Sequence, residues 1–361
     1  MKKILILANS SGGLYDFRNE LVLRLLTKYE VAASLPDEVR TAQLSEEGCR
    51  IISIPMNRRG VNPVEDLKLL GAYLRLLQEE KPDLVLTYTI KPNIYGGLLC
   101  RLKGIPYIET VTGLGSTFQK KGVFLRMIVT MYRTGLKNAS CVFFQNRENR
   151  EIFEKYGIGG KKSRLVSGSG VNLKRHAFEP YPEGESVRFL YVGRMMREKG
   201  IEELLEAAGR LCGEKVSFEL LGYPDEDYQE RLDDFERQGC IRQLGFHPDV
   251  HEYIKDASAL VLPTYHEGMS NVLMEASATG RPVIATDISG CREIFEEGVT
   301  GFGCKPGDSE DLIRALGRFL SLSPGQRSKM GRAARAKMER EFDREKVVDA
   351  YMEEIEKLLD R

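Results

Sequence analysis

Short apolar runs alternate with longer amphipathic stretches from the start of the chain: KILILA then YDFRNELVLRLL, RIISIP then VEDLKLLGAYLRLLQEE, DLVLTY then NIYGGLLCRLK. A short apolar run followed by helical periodicity predicts strands joined by crossover helices, and so a parallel sheet. The alternation stops at NLKRHAFEPYPEGE, residues 172–185, which lacks periodicity, carries two prolines and reads as a linker. It resumes with VRFLYVG, EELLEAAGRL, VSFELLG, YQERLDDFE, ALVLP, SNVLMEASATG and PVIAT, enough for a second doubly wound sheet. The expectation is an α/β protein with two Rossmann-like domains, 1–171 and 186–344, facing each other across a cleft. A closing helix within 345–361 lines up Val347, Val348, Tyr351, Ile355, Leu358 and Leu359. It either packs back onto the first domain or serves only as a helix-end cap.

The 361 residues exceed one ordinary core and suit two domains, and 42% hydrophobic with 29% charged residues is globular usage that excludes disorder. MKKILILAN imitates a signal peptide, but its apolar run ends at Asn9, and nothing elsewhere approaches the roughly 18 apolar residues of a membrane span. The protein is therefore expected in the cytosol. The cysteines at 49, 100, 141, 212, 240, 291 and 304 form no CxxC pair and read as small buried hydrophobes in a reducing compartment. Zero net charge hides a split: residues 1–170 hold 26 Lys and Arg against 16 Asp and Glu, and the remainder holds 27 against 37. The first half suits an anionic surface, unless composition merely drifts between domains.

In doubly wound sheets ligands sit beyond the carboxyl ends of the strands. Asn9-Ser10-Ser11-Gly12-Gly13 follows the first strand and opens a helix, so its backbone N–H groups either line a ligand or only make a tight turn. In the second domain Arg194 and Lys199 flank the turn after VRFLYVG. Two cations beside a helix start suit a diphosphate; the plain alternative is a solvated turn paired with Glu198 and Glu202. In HEGMSNVLME the N-cap candidates Ser270 and Asn271 start a helix running to about Thr279. Were the segment wholly helical, Glu275 would lie ~12 Å along the axis and ~80° around it from Glu267, so the two acids touch separate parts of a ligand. The free N–H groups of Gly268 to Asn271 point outward at that start, ready for an anion. Glu275 sits among Val272, Leu273, Met274 and small residues, where a charge needs a partner.

Together, the SSGG loop, GSGVN at 168–172, VGRMMREKG and EGMSNVLME with its Glu-x7-Glu spacing resemble the retaining glycosyltransferases of family four, which have the GT-B fold. YDFRNEL, VTGLGSTF and GVNLKRH are similar, more loosely, to bacterial transferases that extend a galactosaminyl- or galactosyl-type glycan on undecaprenyl diphosphate. The resemblance implies that domain 1–171 binds the acceptor and 186–344 the nucleotide sugar. Catalysis falls to Glu267, Arg194 and Lys199. Arg194 and Lys199 hold the donor diphosphate, Glu267 bonds the donor sugar's hydroxyls, and Glu275 accepts from the ribose. Gly12, Gly13, Gly268, Met269, Ser270, Asn271 and Val272 complete the donor site. Negative charge grows on the departing phosphate, and fixed cations and N–H groups lower that barrier. No protein nucleophile, metal or cofactor is expected; a UDP-sugar is the co-substrate. Many relatives carry a histidine where this chain has Thr112, leaving Asp16, Glu109 and Thr112 as acceptor-side or base candidates. His266 either edges the donor pocket or fills a turn.

From Thr110 to Arg147 there is no acidic residue, while GVFLRMIVTMYRTGLK mixes apolar residues and cations at helical spacing. Lys120, Lys121, Arg126, Arg133 and Lys137 suit an anionic membrane surface as well as they suit the basic outer face of a core helix. With a lipid-linked acceptor implied, the expected location is peripheral, on the inner face of the cell membrane. The expected function is transfer of a hexose or N-acetylhexosamine to a lipid-linked saccharide in cell-surface polysaccharide assembly. The alternatives are a GT-B nucleotide-sugar epimerase and a non-catalytic nucleotide-sugar-binding subunit. Nucleic-acid binding is disfavoured because the cations lack interleaved aromatics.

Overall fold

The computed structural model describes residues 1–58, 62–114, 118, 122–225 and 227–360. The chain divides into two compact units: Met1–Ser169 together with Arg344–Arg361, and Gly170–Asp343. In chain order the first unit holds β1 (Lys3–Leu7), α1 (Ser11–Leu26), β2 (Glu30–Leu35), α2 (Thr41–Glu46), β3 (Arg50–Ser53), α3 (Pro63–Glu80) and β4 (Leu84–Tyr88). It continues through α4 (Gly97–Lys103), β5 (Tyr107–Val111), α5 (Val123–Leu136), β6 (Cys141–Phe144), α6 (Arg147–Lys155) and β7 (Ser163–Leu165). The second holds β8 (Val187–Val192), α7 (Ile201–Leu211), β9 (Val216–Leu221), α8 (Gln229–Arg237), β10 (Arg242–Gly245), α9 (His251–Ile254) and β11 (Ala259–Leu262). Then come α10 (Asn271–Ala278), β12 (Val283–Thr286), β13 (Gly301–Cys304), α11 (Ser309–Leu320) and α12 (Pro324–Lys337), before α13 (Arg344–Leu359) returns to the first unit.

The first sheet runs β3-β2-β1-β4-β5-β6-β7, with every pair parallel. Strand alternation sorts β1 between two layers: Ile4 and Ile6 pack with α1 and α13, and Leu5 and Leu7 with α3, α4 and α5. Val347, Val348, Tyr351, Met352, Ile355 and Leu359 of α13 belong to the first of those cores. Their burial contributes on the order of 10 kcal/mol before ordering costs. Tyr351 stacks on Phe143 at 4.0 Å, its hydroxyl lies 2.7 Å from Thr110 Oγ1, and Arg344 pairs with Glu20 at 2.9 Å.

The second sheet runs β10-β9-β8-β11-β12-β13, again parallel throughout. Residues 172–185 are not a spacer outside it. Arg281, fully buried, donates to the carbonyls of Glu179 at 3.0 Å and Pro180 at 2.7 Å, and the Tyr181 hydroxyl donates to Ser258 O at 2.9 Å. An aperiodic segment is thus fastened through its backbone carbonyls, which no side-chain pattern displays. The units meet in sequence at 169/170 and 343/344, and residues 172–185 go with the second. Among the described residues no helix is long and apolar enough to cross a membrane.

Candidate functional site

In the second unit the turns after β8 and β11 are tied together. Tyr265 N donates to Glu198 O at 2.9 Å, and Gly200, at φ 71°, leaves no room for a side chain: a Cβ there would lie 2.0 Å from Pro263 O. That close approach sets Lys199, at the end of a 3-10 turn spanning Arg197–Lys199, against Glu267. Their Nζ–Oε1 distance is 2.5 Å, and both side chains are largely buried. Arg194 leaves the same β8 turn, its carbonyl accepting from the Tyr191 hydroxyl at 2.7 Å, and its guanidinium pairs with Asp225. Burial, and then the charge of Glu267, pushes the Tyr191 phenol well up, so it stays a neutral donor beneath the turn. Asp225 is thus tied to the β8 turn by a pairing that the sequence did not announce.

α10 begins at Asn271, as its N-cap pattern predicts, with Ser270 at the cap and Thr279 at its end. The expected row of outward N–H groups is shorter than the sequence implied, because Ser270 N donates to Gly290 O at 2.8 Å. Gly290 presses on the turn from the far side at φ 88°, where a Cβ would lie 2.8 Å from the carbonyls of Glu267 and Gly268. Met269 is buried in the core and Val272 packs against it, so those two shape the site through packing. Glu275 Oε1 lies 3.8 Å from His176 Nε2. His176 is buried, stands edge-on to His251 at 5.7 Å, and has its backbone carbonyl held by Arg335 Nη1 at 2.9 Å. Sequence reasoning missed it because it lies in the stretch read as a linker. His266 is exposed.

The first-unit candidates fare unevenly. In the SSGG loop Ser10 Oγ accepts from Gly13 N at 3.2 Å, and Ser11 N donates to Asp37 at 3.1 Å, so part of the expected anion-binding backbone is engaged within the unit. A Cβ at Gly12 or Gly13 would meet only ordinary contacts. Asp16 is partly exposed, with Arg40 Nη2 at 3.5 Å. Thr112 is partly exposed; with the Gln145 amide turned to satisfy its neighbours, Gln145 donates to Thr112 O at 3.1 Å and accepts from Arg18 at 3.0 Å. Arg18, 8% exposed, also lies 4.6 Å from the centre of the Tyr88 ring, a buried cation that the YDFRNEL stretch did not reveal. Glu109 does not suit the base role: it is fully buried beside Gly97, where a Cβ would fall on its Oε1, neither oxygen has a hydrogen-bond partner among the described residues, and burial drives its pKa far up. A carboxyl sealed in that core reaches no acceptor.

Of the basic segment, Lys120 and Lys121 lie outside the described residues. Arg126 and Arg133 are exposed on α5 and Lys137 is exposed at its C-cap; Arg133 Nε also donates to Tyr156 O at 2.7 Å. Val123 and Met127 are exposed on the same helix. Among the described residues no three His, Cys, Asp or Glu side chains are grouped to hold a metal ion.

Comparison with known proteins matches both units to enzyme families. Residues 3–146 match the family model described as glycosyl transferase 4-like, and residues 186–321 that of glycosyl transferases group 1. A Campylobacter jejuni N,N'-diacetylbacillosaminyl-diphospho-undecaprenol alpha-1,3-N-acetylgalactosaminyltransferase is 27% identical over 88% of this chain and 89% of its own. An Escherichia coli UDP-Gal:alpha-D-GlcNAc-diphosphoundecaprenol alpha-1,3-galactosyltransferase is 26% identical over 76% of this chain and 75% of its own. Among solved structures, Anabaena HepE in complex with UDP-glucose superimposes with a TM-score of 0.81 at 18% identity, over 99% of this chain and 100% of that one. The two parallel-sheet domains are thus those of the GT-B fold, and with both halves of the chain matched in order, the protein belongs to the group 1, family-four-like glycosyltransferases.

Proposed function

We propose that the protein is a retaining, metal-independent transferase that moves a hexose or N-acetylhexosamine from a UDP-sugar to an undecaprenyl-diphosphate-linked saccharide in cell-surface glycan assembly. The observation carrying this reading is the Lys199–Glu267 pair at 2.5 Å beside the start of α10, with Arg194 on the same β8 turn. An ammonium and a guanidinium neutralise charge growing on a leaving diphosphate without a metal ion. A carboxylate already held by Lys199 is a poor nucleophile but a good acceptor for sugar hydroxyls, which suits retention by front-face attack. The relatives' printed names, one with a UDP-sugar donor and two with diphospho-undecaprenol acceptors, support the substrate classes.

The exposed face of α5 supports docking on anionic lipid at the inner leaflet. Val123, Arg126, Met127, Thr130 and Lys137 lie along it at helical spacing and are all exposed, joining apolar and cationic side chains. Co-sedimentation with vesicles should need anionic lipid and weaken in salt; protein left in the supernatant at low salt removes this part.

Incubating the protein with a panel of UDP-sugars and a bacterial lipid extract tests the main reading. UDP release that depends on the extract, with an α-configured lipid-linked product, is the expected result. Release without extract is hydrolysis only, and none with any donor refutes the assignment. Glu267→Ala separates an enzyme, which loses turnover, from a binding subunit, which has none.

A further inference from the structure

Of the seven cysteines, Cys49, Cys100, Cys141, Cys291 and Cys304 are sealed in the cores at 2% exposure or less. Those five fit the expectation of small buried hydrophobes. Cys212 and Cys240 differ. Their Sγ atoms lie 2.7 Å apart, whereas non-bonded carbon atoms settle at about 3.5–4.0 Å and sulfur is larger still. A disulfide, at about 2.05 Å, is reached by a further approach of roughly 0.7 Å.

Local structure holds both thiols at that contact. Cys212 caps the end of α7, its N–H donating to Ala208 O at 2.9 Å. Cys240 follows α8, where Gly239 at φ 73° turns the chain and Cys240 N donates to Phe235 O at 3.0 Å. The two helices approach closely just before these ends, since a Cβ at Gly209 would lie 3.2 Å from Phe235 Cε1. The contact sits ahead of the amino ends of β9 and β10, at the opposite edge of the parallel sheet from the turns after β8 and β11. Cys212 is partly exposed and opens onto an exposed turn at Gly213, Glu214 and Lys215, whereas Cys240 is 7% exposed. Burial, and then the hydrogen bond with Cys212, pushes the Cys240 thiol up to about 11, so it keeps its proton, and Cys212 is the sulfur that a solution reagent meets.

We propose that Cys212 and Cys240 are a reversible redox pair that closes to a disulfide by exchange with a small disulfide of the glutathione class. The Cys212 thiolate attacks one sulfur of the reagent and breaks its S–S bond; a mixed disulfide forms, and one glutathione leaves as thiolate and takes up a proton. Cys240 then gives up its proton and attacks Cys212 Sγ, expelling the second glutathione as thiol. The two cysteines lose two electrons together, and one glutathione disulfide becomes two glutathiones. The bond joins positions 28 residues apart with β9 and α8 between them, so it staples the end of α7 to the end of α8 and narrows the unfolded ensemble.

The test equilibrates the full chain with mixtures of glutathione and glutathione disulfide near neutral pH, blocks the remaining thiols with N-ethylmaleimide after acid quench, and maps the peptides by mass spectrometry. A cross-link between the Cys212 and Cys240 peptides, reversed by a dithiol reductant, is expected, with the other five cysteines untouched until the chain is unfolded. Because the folded chain holds the two sulfurs together, it should keep the bond about 10²-fold more firmly against glutathione than the urea-unfolded chain does. Cys240→Ser should stop at the mixed disulfide, a mass gain of one glutathione on Cys212, and Cys212→Ser should gain nothing. Should either variant misfold, the ratio between native and unfolded parent decides by itself. Thiols that stay reduced in glutathione disulfide alone, a bond formed between two chains, or a native-to-unfolded ratio within about threefold overturns the proposal.

Discussion

Replacing Lys199 by Met keeps most of the side chain's length and removes its charge, which makes it the sharpest probe of the second-unit site. At 2.5 Å the attraction between Lys199 and Glu267 is several kcal/mol gross. Both side chains are only partly exposed, 23% and 15%, so desolvation offsets much of that gain and leaves a coupling of ~1–2 kcal/mol. The variant should therefore melt slightly lower and still fold. On the proposed reaction its larger effect is on turnover, because the cation assigned to the departing phosphate is gone: kcat should fall about 10²–10³-fold, as when one preorganised transition-state donor is removed. Single-turnover measurement with a saturating UDP-sugar separates that loss from weaker donor binding, which isothermal titration with UDP reads independently. A double-mutant cycle with Glu267→Gln should show strong non-additivity, since the two groups act as one unit. If Lys199→Met loses less than about tenfold in kcat, or if the two changes add independently, the ion pair is not the catalytic core and the reasoning fails.

Three further outcomes follow from groups outside that pair. Glu109 has its folded pKa raised far above the ordinary 4.5 by burial, so the native state keeps a proton that the unfolded chain releases; stability from this group is complete below about pH 4.5 and declines by about 1.4 kcal/mol per pH unit above it, up to the folded pKa. Urea unfolding at pH 5 and 8 should show Glu109→Gln gaining on the parent as pH rises, and a constant difference refutes the assignment. Gly200→Ala drives a Cβ into Pro263 O from a left-handed backbone; it should destabilise the second unit by about 2–5 kcal/mol and displace Lys199, read as a lower melt together with lost UDP affinity. Tyr351→Ala should cost about 3–5 kcal/mol and Tyr351→Phe about 1, the latter reporting only the Thr110 contact, both by denaturant melts.

The two sheets were legible because burial on both faces writes strands as short apolar runs, and β1, β4, β8 and β11 all sit in such runs. The start of α10 was legible from Ser270 and Asn271, and the inward face of α13 from its spacing. What escaped was set by contacts distant in sequence. Ser270 N turned toward Gly290, Asp225 toward Arg194 and His176 toward Glu275, each across at least thirty residues or between separate turns. Glu109 failed for a simpler reason. An acid near a motif reads as chemistry in a sequence, and only the packing of Gly97 against it shows that it faces inward.

The return of α13 to the first unit places the whole of residues 170–343 as an insertion between two pieces of one core. On the ribosome the sheet of the first unit is therefore translated long before the helix that covers one of its faces, and the inserted unit is finished while that face still waits. A stop codon after residue 343 would leave the inserted unit whole and the earlier-made unit greasy on one side, which makes nascent-chain arrest at that point a natural place to look for chaperone capture.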